Sequence, residues 1–267
     1  MLFRSGEAID AAVPQSGGIN RLLVVDADSD GSADLLLGST TQPGWSLLRY
    51  LPPPGPDGGP GAPRPELMRQ LNDGLGNGMS FRFQSLGQVP GYRMSGSNPA
   101  GAIALQGGAL PVLVGYTVTG ASRYDVSLGY SGARRDRQGR GFLGFETVTS
   151  VDSRNGLKSV TQFRQDFPFI GRIELATTWD QDRKVSVFDP SWAMAAGPPA
   201  MVLSTRFVYL AGDLTESYEV DAEGGLQGSL VRSVRRTLSW NLVHGAVSRE
   251  VTEVTSPLDP GRSHRTT

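Results

Sequence analysis

The chain has 267 residues, with 25 basic and 26 acidic side chains, 35 glycines, 18 prolines and no cysteine. A net charge near zero disfavours nucleic acid or anionic lipid as the main partner, and the absence of cysteine excludes disulfides, thiolate metal sites and cysteine nucleophiles. Glycine and proline are too frequent for a helical bundle, and no apolar run is long enough to predict a membrane-spanning helix.

The first predicted domain, residues 1–51, consists of short strands and tight turns. Its strand candidates are the apolar runs at 21–25, 35–38 and 45–51. The stretch that follows, PPPGPDGGPGAPRP, covers residues 52–65. Proline fixes φ and removes a backbone donor, and glycine raises the entropic cost of ordering the chain. We therefore predict that residues 52–65 are a linker between two domains.

From residue 66 to residue 256 the sequence predicts β-strands in series. Met79, Phe81 and Phe83 alternate with polar residues, which is the period of a half-buried strand. Asn-Gly and Asp-Gly pairs supply the positive φ that hairpin turns need. Residues 257–267 are polar and are predicted to be a disordered tail. The other predicted strands are 112–119, 124–130, 142–151, 157–164, 172–179, 201–210, 229–238 and 246–255.

An acidic loop lies between the first two strand candidates. It carries carboxylates at its positions 1, 3, 5 and 9, glycine at position 6 and serine at position 7, where the main-chain carbonyl is available. Ca²⁺ prefers about six to eight hard oxygen ligands, which a tight loop of this kind can supply. An EF-hand is excluded, because position 12 is Leu37 and the flanks are predicted strands. We predict a structural Ca²⁺ site, with a solvated acidic turn as the alternative. The predicted ligands are Asp26, Asp28, Asp30, Ser32 and Asp34.

The acidic loop and its flanks have a family resemblance. Residues 22–38, LLVVDADSDGSADLLLG, resemble the FG-GAP and VCBS repeats of β-propellers. A propeller blade needs neighbours to bury its faces, and the sequence holds about one blade's worth of such a repeat. We therefore expect residues 1–51 to be the remnant of a propeller, and the chain to be a fragment of a longer one.

Three further segments, in this order, resemble the middle of toxin-complex B components. Motif 1 is residues 72–83 (NDGLGNGMSFRF), motif 2 is residues 130–145 (YSGARRDRQGRGFLGF), and motif 3 is residues 165–171 (QDFPFIG). These components are also called Salmonella virulence plasmid B-type proteins and adjoin the Rhs/YD-repeat family. Strict YD repeats are not evident in the chain.

The resemblance implies an all-β fold, in which the end of a β-propeller-like repeat is followed by antiparallel hairpins of a YD/Rhs-type shell. It also implies a non-catalytic, structural part of a secreted bacterial virulence toxin. In such proteins the propeller docks on a pore-forming translocation partner, and the shell encloses a toxic polypeptide. A free-standing, calcium-dependent, β-rich adhesin or binding module is the alternative, with a closed fold that loses stability on chelation.

Motif 2 permits two other interpretations. Residues 139–144 fit G-x-G-x-x-G, but the residues after them alternate like a strand and do not open a helix, so nucleotide binding is disfavoured. Its basic run is either an anion site or a charged turn with local ion pairs, and we favour the charged turn. The arginines of the run are Arg134, Arg135, Arg137 and Arg140.

Catalysis is not predicted. His244 and His264 are the only histidines, and no G-x-S-x-G sequence marks a nucleophilic serine. His244 lies in a predicted turn, and nothing singles out a catalytic pair among the carboxylates considered for glycoside hydrolysis. These carboxylates are Glu146, Asp152 and Asp166.

Overall fold

The computed structural model describes residues 19–27, 33–39, 45–48, 67–94, 103–105, 108–196, 206–219, 228–257 and 264–266. Across these ranges the named strands pair antiparallel, one helix is present, a 3₁₀ turn at Leu86–Gln88, and there is no α-helix. The all-β prediction is confirmed. The strands are β1 (Ile19–Val25), β2 (Asp34–Ser39), β3 (Trp45–Leu48), β4 (Gln70–Asn72), β5 (Gly78–Ser85), β6 (Ile103–Leu105), β7 (Pro111–Thr119), β8 (Tyr124–Ser131), β9 (Arg134–Asp136), β10 (Gly141–Phe142), β11 (Thr147–Asp152), β12 (Leu157–Phe163), β13 (Ile173–Asp180), β14 (Arg183–Ala196), β15 (Arg206–Tyr218), β16 (Leu230–Asn241), β17 (Ala246–Thr255) and β18 (His264–Thr266).

The chain divides into two compact units. Unit 1 comprises Met1–Tyr92 and Gly107–Ala121. It holds a sheet of order β1-β2-β3 and a ladder in which β5 pairs with β4 on one side and with β7 on the other. Its buried apolar side chains lie on β2, on β7 and around the 3₁₀ turn, and they are Leu37, Leu86, Val89 and Val112.

Unit 2 comprises Arg93–Gln106 and Ser122–Thr267. Its main sheet has the order β8-β11-β12-β13-β14-β15-β16-β17-β18, so from β11 onward each strand pairs with the next strand in the chain. A smaller sheet has the order β10-β9-β6. The buried apolar side chains of this unit are Val126, Ala133, Leu143, Val251 and Val254.

Most predicted strands are present, with a few differences. The predicted strand 142–151 is two strands, β10 and β11, in different sheets. Strand β14 was not predicted at all. Of the tail predicted to be disordered, residues 264–266 form β18, which pairs with β17.

The predicted domain limits 1–51, 52–65, 66–256 and 257–267 stay predictions. The linker 52–65 lies outside the described residues. The two compact units divide the chain after Tyr92, after Gln106 and after Ala121. Among the described residues, no helix has the length and apolar character needed to cross a bilayer.

Candidate functional site

Motifs 2 and 3 meet at a buried side chain. The Gln165 amide nitrogen donates hydrogen bonds to the carbonyl oxygens of Gly132, at 2.7 Å, and Gly144, at 2.8 Å. Both acceptors belong to motif 2, and Gln165 is 7% exposed. Buried polar groups need partners, and here both amide hydrogens are used. Gln165 therefore joins the β12–β13 loop to the β8–β9 connection, at Gly132, and to the segment before β11, at Gly144.

Motif 3 closes the β12–β13 hairpin with an ion pair. Arg164 Nε and Nη2 lie 2.9 and 2.6 Å from the two carboxylate oxygens of Asp166. The guanidinium holds the pKa of Asp166 below its ordinary value, and Asp166 raises the pKa of Arg164. Arg164 also lies 3.9 Å from the centre of the Phe169 ring. This fork-like pair on an aromatic face fixes the shape of the loop.

Motif 2 turns around a buried carboxylate. Asp136 accepts hydrogen bonds from the Gln138 backbone N–H at 2.6 Å and from Arg140 Nη1 at 3.1 Å. Arg140 in turn lies 4.3 Å from the centre of the Phe167 ring, which belongs to motif 3. The two motifs thus meet a second time. The predicted charged turn is present only in part: Arg137 and Arg140 lie in the turn between β9 and β10, whereas Arg134 and Arg135 lie in β9. Of these arginines only Arg140 pairs with an acid among the described residues.

The aromatic residues of motif 2 are only partly buried. Phe142 is 45% exposed, whereas Leu143 beside it is 4% exposed and is the core residue. The Phe142 ring meets Phe145 edge to face at 5.4 Å, and Phe145 packs on Tyr130 at 4.4 Å. Burial raises the pKa of Tyr130. An aromatic row therefore runs from the buried side of the motif to its surface.

Motif 1 forms the tight β4–β5 turn. The Asp73 carboxylate accepts hydrogen bonds from the backbone N–H groups of Leu75, at 2.7 Å, and Asn77, at 3.0 Å. The Asn77 side chain donates a further hydrogen bond and is the main cause of the lowered pKa of Asp73. This is a side chain mimicking a backbone turn. Motif 1 therefore has a structural role in unit 1.

The acidic loop spans a hairpin between β1 and β2, as its flanks predicted. Val25 pairs with Asp34 at the base of the loop. Asp34 is fully buried and accepts a 3.0 Å hydrogen bond from the Ala27 backbone N–H. Asp28, Asp30 and Ser32 lie outside the described residues. The hairpin base fits a cation loop in its hard-oxygen donors, and the Ca²⁺ site stays a prediction.

The catalytic candidates have ordinary structural surroundings. His244 is exposed in the β16–β17 turn, where its backbone N–H donates to the Asn241 carbonyl at 3.3 Å. His264 lies in β18, and Glu146 donates its backbone N–H to the Ser131 carbonyl. Asp152 pairs with Arg154, which lowers its pKa. Within the described ranges, no group of three or more His, Asp or Glu side chains is placed to hold a metal ion.

The G-x-G-x-x-G sequence does not open a helix. Gly139, Gly141 and Gly144 all have positive φ, and the next regular element is strand β11. A dinucleotide fingerprint needs a helix N-terminus at this point for the pyrophosphate. The regular element after the glycines is therefore a strand, as the alternation of its residues predicted, and the absence of a nucleotide site stays a prediction.

Comparison with known proteins gives a match by structure. No protein-family model and no curated protein matches the sequence. The crystal structure of TcdB2-TccC3 without its hypervariable C-terminal region superposes with a TM-score of 0.63 over 92% of this chain, at 12% sequence identity. The fold resembles a segment of TcdB2-TccC3. The TcdB2-TccC3 structure gives a TM-score of 0.61 over 88% of the chain at 12% identity, and TcdB2-TccC3-Cdc42 gives 0.54 over 88% at 11%.

The chain covers only a small part of each matched structure. This chain spans only 14% of the first two TcdB2-TccC3 chains and 16% of the third. The resemblance to toxin-complex proteins is thus supported at the level of the fold. The resemblance of residues 22–38 to a propeller repeat stays a prediction.

Proposed function

We propose that this chain is a non-catalytic segment of the β-shell of a secreted bacterial toxin-complex component. The shell would enclose a toxic polypeptide and adjoin a propeller that docks on a translocation partner. The observation that carries the proposal is the structural match to TcdB2-TccC3 over most of the chain. The ordered resemblance of motifs 1, 2 and 3 to toxin-complex B components supports it independently.

The partial exposure of residues in the main sheet also supports the proposal that this sheet is part of a shell wall. All six residues of β11 are partly exposed, and seven of the eight residues of β13 are partly or fully exposed. In a two-layer sandwich, inward side chains are buried and alternate with exposed ones. Intermediate burial on both faces fits a single-layer sheet. In the proposed shell, one face of this sheet would contact solvent and the other would contact the enclosed polypeptide.

The shell proposal predicts a hollow particle. Expression of the complete open reading frame that contains this chain should give a particle with an internal cavity in electron micrographs. A polypeptide carried inside should resist protease until denaturant opens the particle, whereas the same polypeptide expressed alone should be cleaved at once. We also expect the frame to continue upstream into FG-GAP-like repeats and downstream into YD repeats.

Two results would contradict this proposal. One is a frame that ends at both sides of this chain while its product purifies as a monodisperse monomer, as the adhesin alternative requires. The other is a carried polypeptide that is cleaved at the same rate inside and outside the particle.

We also propose that residues 1–51 are the last part of the propeller and that the acidic loop binds a structural Ca²⁺ ion. The support is the hairpin base, where Val25 pairs with Asp34 and the Asp34 carboxylate is buried. Asp26, Asp28 and Asp30 are close to Asp34 in the sequence, and carboxylates at such spacing repel one another unless a cation lies among them.

Calcium is expected to raise the thermal stability of the protein. A ligand at about 100 times its dissociation constant adds about 2.7 kcal/mol to the free energy of unfolding, because it binds only the folded state. Calorimetry with Ca²⁺ should show uptake by the parent and little by Asp28→Ala, while Asp182→Ala, in the exposed β13–β14 turn, should bind like the parent. Equal uptake by the parent and Asp28→Ala would refute the site.

A further inference from the structure

A cleft of about 500 Å³ lies beside the turn of motif 2. The small sheet β10-β9-β6 and the turn after β9 supply its lining. Gly139 and Gly141 have φ of +116° and +75°, and no heavy atom lies within 4 Å of the position of an added Cβ. The backbone of the turn is therefore open to a ligand. The lining residues are Ala104, Arg135, Asp136, Arg137, Gly139 and Gly141.

The cleft has an excess of positive charge. Among the described residues that line the cleft, the one carboxylate is that of Asp136, which is buried and is engaged by the Gln138 N–H and by Arg140. Arg140 neutralises it and does not line the cleft. Arg135 and Arg137 are exposed, and in the part of the chain that the structure describes neither forms an ion pair. Two guanidinium groups are thus available to an anion.

Apolar residues flank one of these cations. The register of the small sheet places Phe142 on β10 and Ala104 on β6 directly opposite Arg135 on β9. Cross-strand partners share one face of a sheet. Phe142 is largely exposed while its ring edge packs on Phe145. An inorganic anion would use only the guanidinium groups, whereas a peptide with acidic and apolar side chains would contact the aromatic ring as well.

We propose that this cleft and the adjoining Phe142 bind an extended peptide segment in which acidic and apolar residues take turns at every second position, so that both kinds of side chain face the sheet. Arg135 and Arg137 hold its carboxylates through fork-like hydrogen bonds, for which guanidinium groups are suited. Phe142 packs against an apolar side chain of the same segment. In an extended peptide, residues i and i+2 project to the same face, so an acidic residue and an apolar residue two positions apart can reach Arg135 and Phe142, which share one face of the small sheet. The site needs neither the calcium ion nor an enclosed cavity.

Fluorescence anisotropy with labelled peptides tests the site on the purified protein. A peptide that repeats Glu-Ser-Leu-Ser, which places Glu and Leu on one face of the extended chain, should bind at least about tenfold more tightly than one that repeats Gln-Ser-Leu-Ser. Its binding should weaken with added salt. The double variant Arg135→Ala/Arg137→Ala should lose this preference. The control is Arg232→Ala, an exposed arginine of β16 that also lacks an ion pair among the described residues. It should bind like the parent.

A charge-reversed variant distinguishes the loss of the binding site from misfolding of the protein. Arg135→Glu/Arg137→Glu, with the parent's circular dichroism spectrum, should instead prefer a peptide that repeats Lys-Ser-Leu-Ser. Equal binding of the Glu and Gln peptides to the parent would overturn the proposal, as would unchanged binding by the double alanine variant. Inorganic phosphate that binds as tightly as the Glu peptide would overturn it too, because it would show a simple anion site.

Discussion

Replacement of Gln165 by Glu is expected to lower the free energy of unfolding by roughly 3–4 kcal/mol at neutral pH. The substitution keeps the side-chain size, but it exchanges an amide that donates to two carbonyl oxygens for a charge that faces them. Burial and the two acceptors raise the folded-state pKa of the introduced carboxyl group above its unfolded value. Most of the loss should therefore disappear as the pH falls through that raised pKa.

Thermal and urea unfolding between pH 4 and pH 8 would measure this effect. Gln165→Leu should cost about 2 kcal/mol with no pH dependence, because it removes the two donors without a charge. The carbonyls of Gly132 and Gly144 would still accept the backbone N–H groups of Glu146 and Arg134, both at 3.2 Å. The matched control is Gln162→Glu on β12, an exposed position, which should change stability little. A pH-independent loss in Gln165→Glu would contradict the role of the amide.

Replacement of Arg236 by Met is expected to cost about 3 kcal/mol. Arg236 on β16 is the cross-strand partner of Asp213 on β15, and its Nε and Nη2 lie 2.8 and 2.6 Å from one oxygen of Asp213. The Asp213 side chain is 6% exposed, so without Arg236 it is a buried charge without a counter-ion. The partial exposure of Arg236 keeps the expected cost at the low end for such a pair.

The neighbouring Arg235 provides the control for this prediction. Arg235 is exposed and points to the opposite face of β16, so Arg235→Met should change the free energy of unfolding by less than about 0.5 kcal/mol. In the double variant Asp213→Asn/Arg236→Met the buried charge is absent, and part of the loss should be recovered. Equal unfolding midpoints for Arg235→Met and Arg236→Met would show that the buried pair does not stabilise the sheet.

The alternation of side chains predicted most strands of unit 2, because hairpins join neighbours and local turn residues mark their ends. The limits of β17 were predicted to the residue, and those of β12 within one residue. The predicted strand 142–151 was wrong as one element. Its hydrophobic run continues across residues 143–146, where the backbone leaves the small sheet and enters the main sheet.

Strand β14 escaped prediction because of Pro190. A proline is expected only where its missing N–H is not needed by a neighbouring strand. The ladder between β13 and β14 ends at Phe188, so the later part of β14 pairs on one side only, with β15. Pro190 is paired there with Asp213. A proline is tolerated at position 190 because β13 is too short to pair with it. The sequence around Pro190 does not determine the length of β13.

The motifs were easier to find than their roles. Asp166 was considered as a carboxylate for glycoside hydrolysis. In the structure it forms an ion pair with the nearby Arg164. Gln165 attracted no prediction, since its acceptors are backbone carbonyls 33 and 21 residues away. The one signal in the sequence was a glutamine directly after the predicted strand 157–164. For the acidic loop, the apolar runs on both sides predicted the hairpin. Ion binding depends on residues outside the described ranges.

The strand order of the main sheet determines how the sheet can be assembled. From β11 to β18 every ladder joins strands that are consecutive in the chain. Each pairing therefore closes only a short loop, and proteins built from near-neighbour contacts fold quickly. On the ribosome, each new strand can add to the growing edge without waiting for a distant segment. The sheet can therefore lengthen one strand at a time as the chain is synthesised.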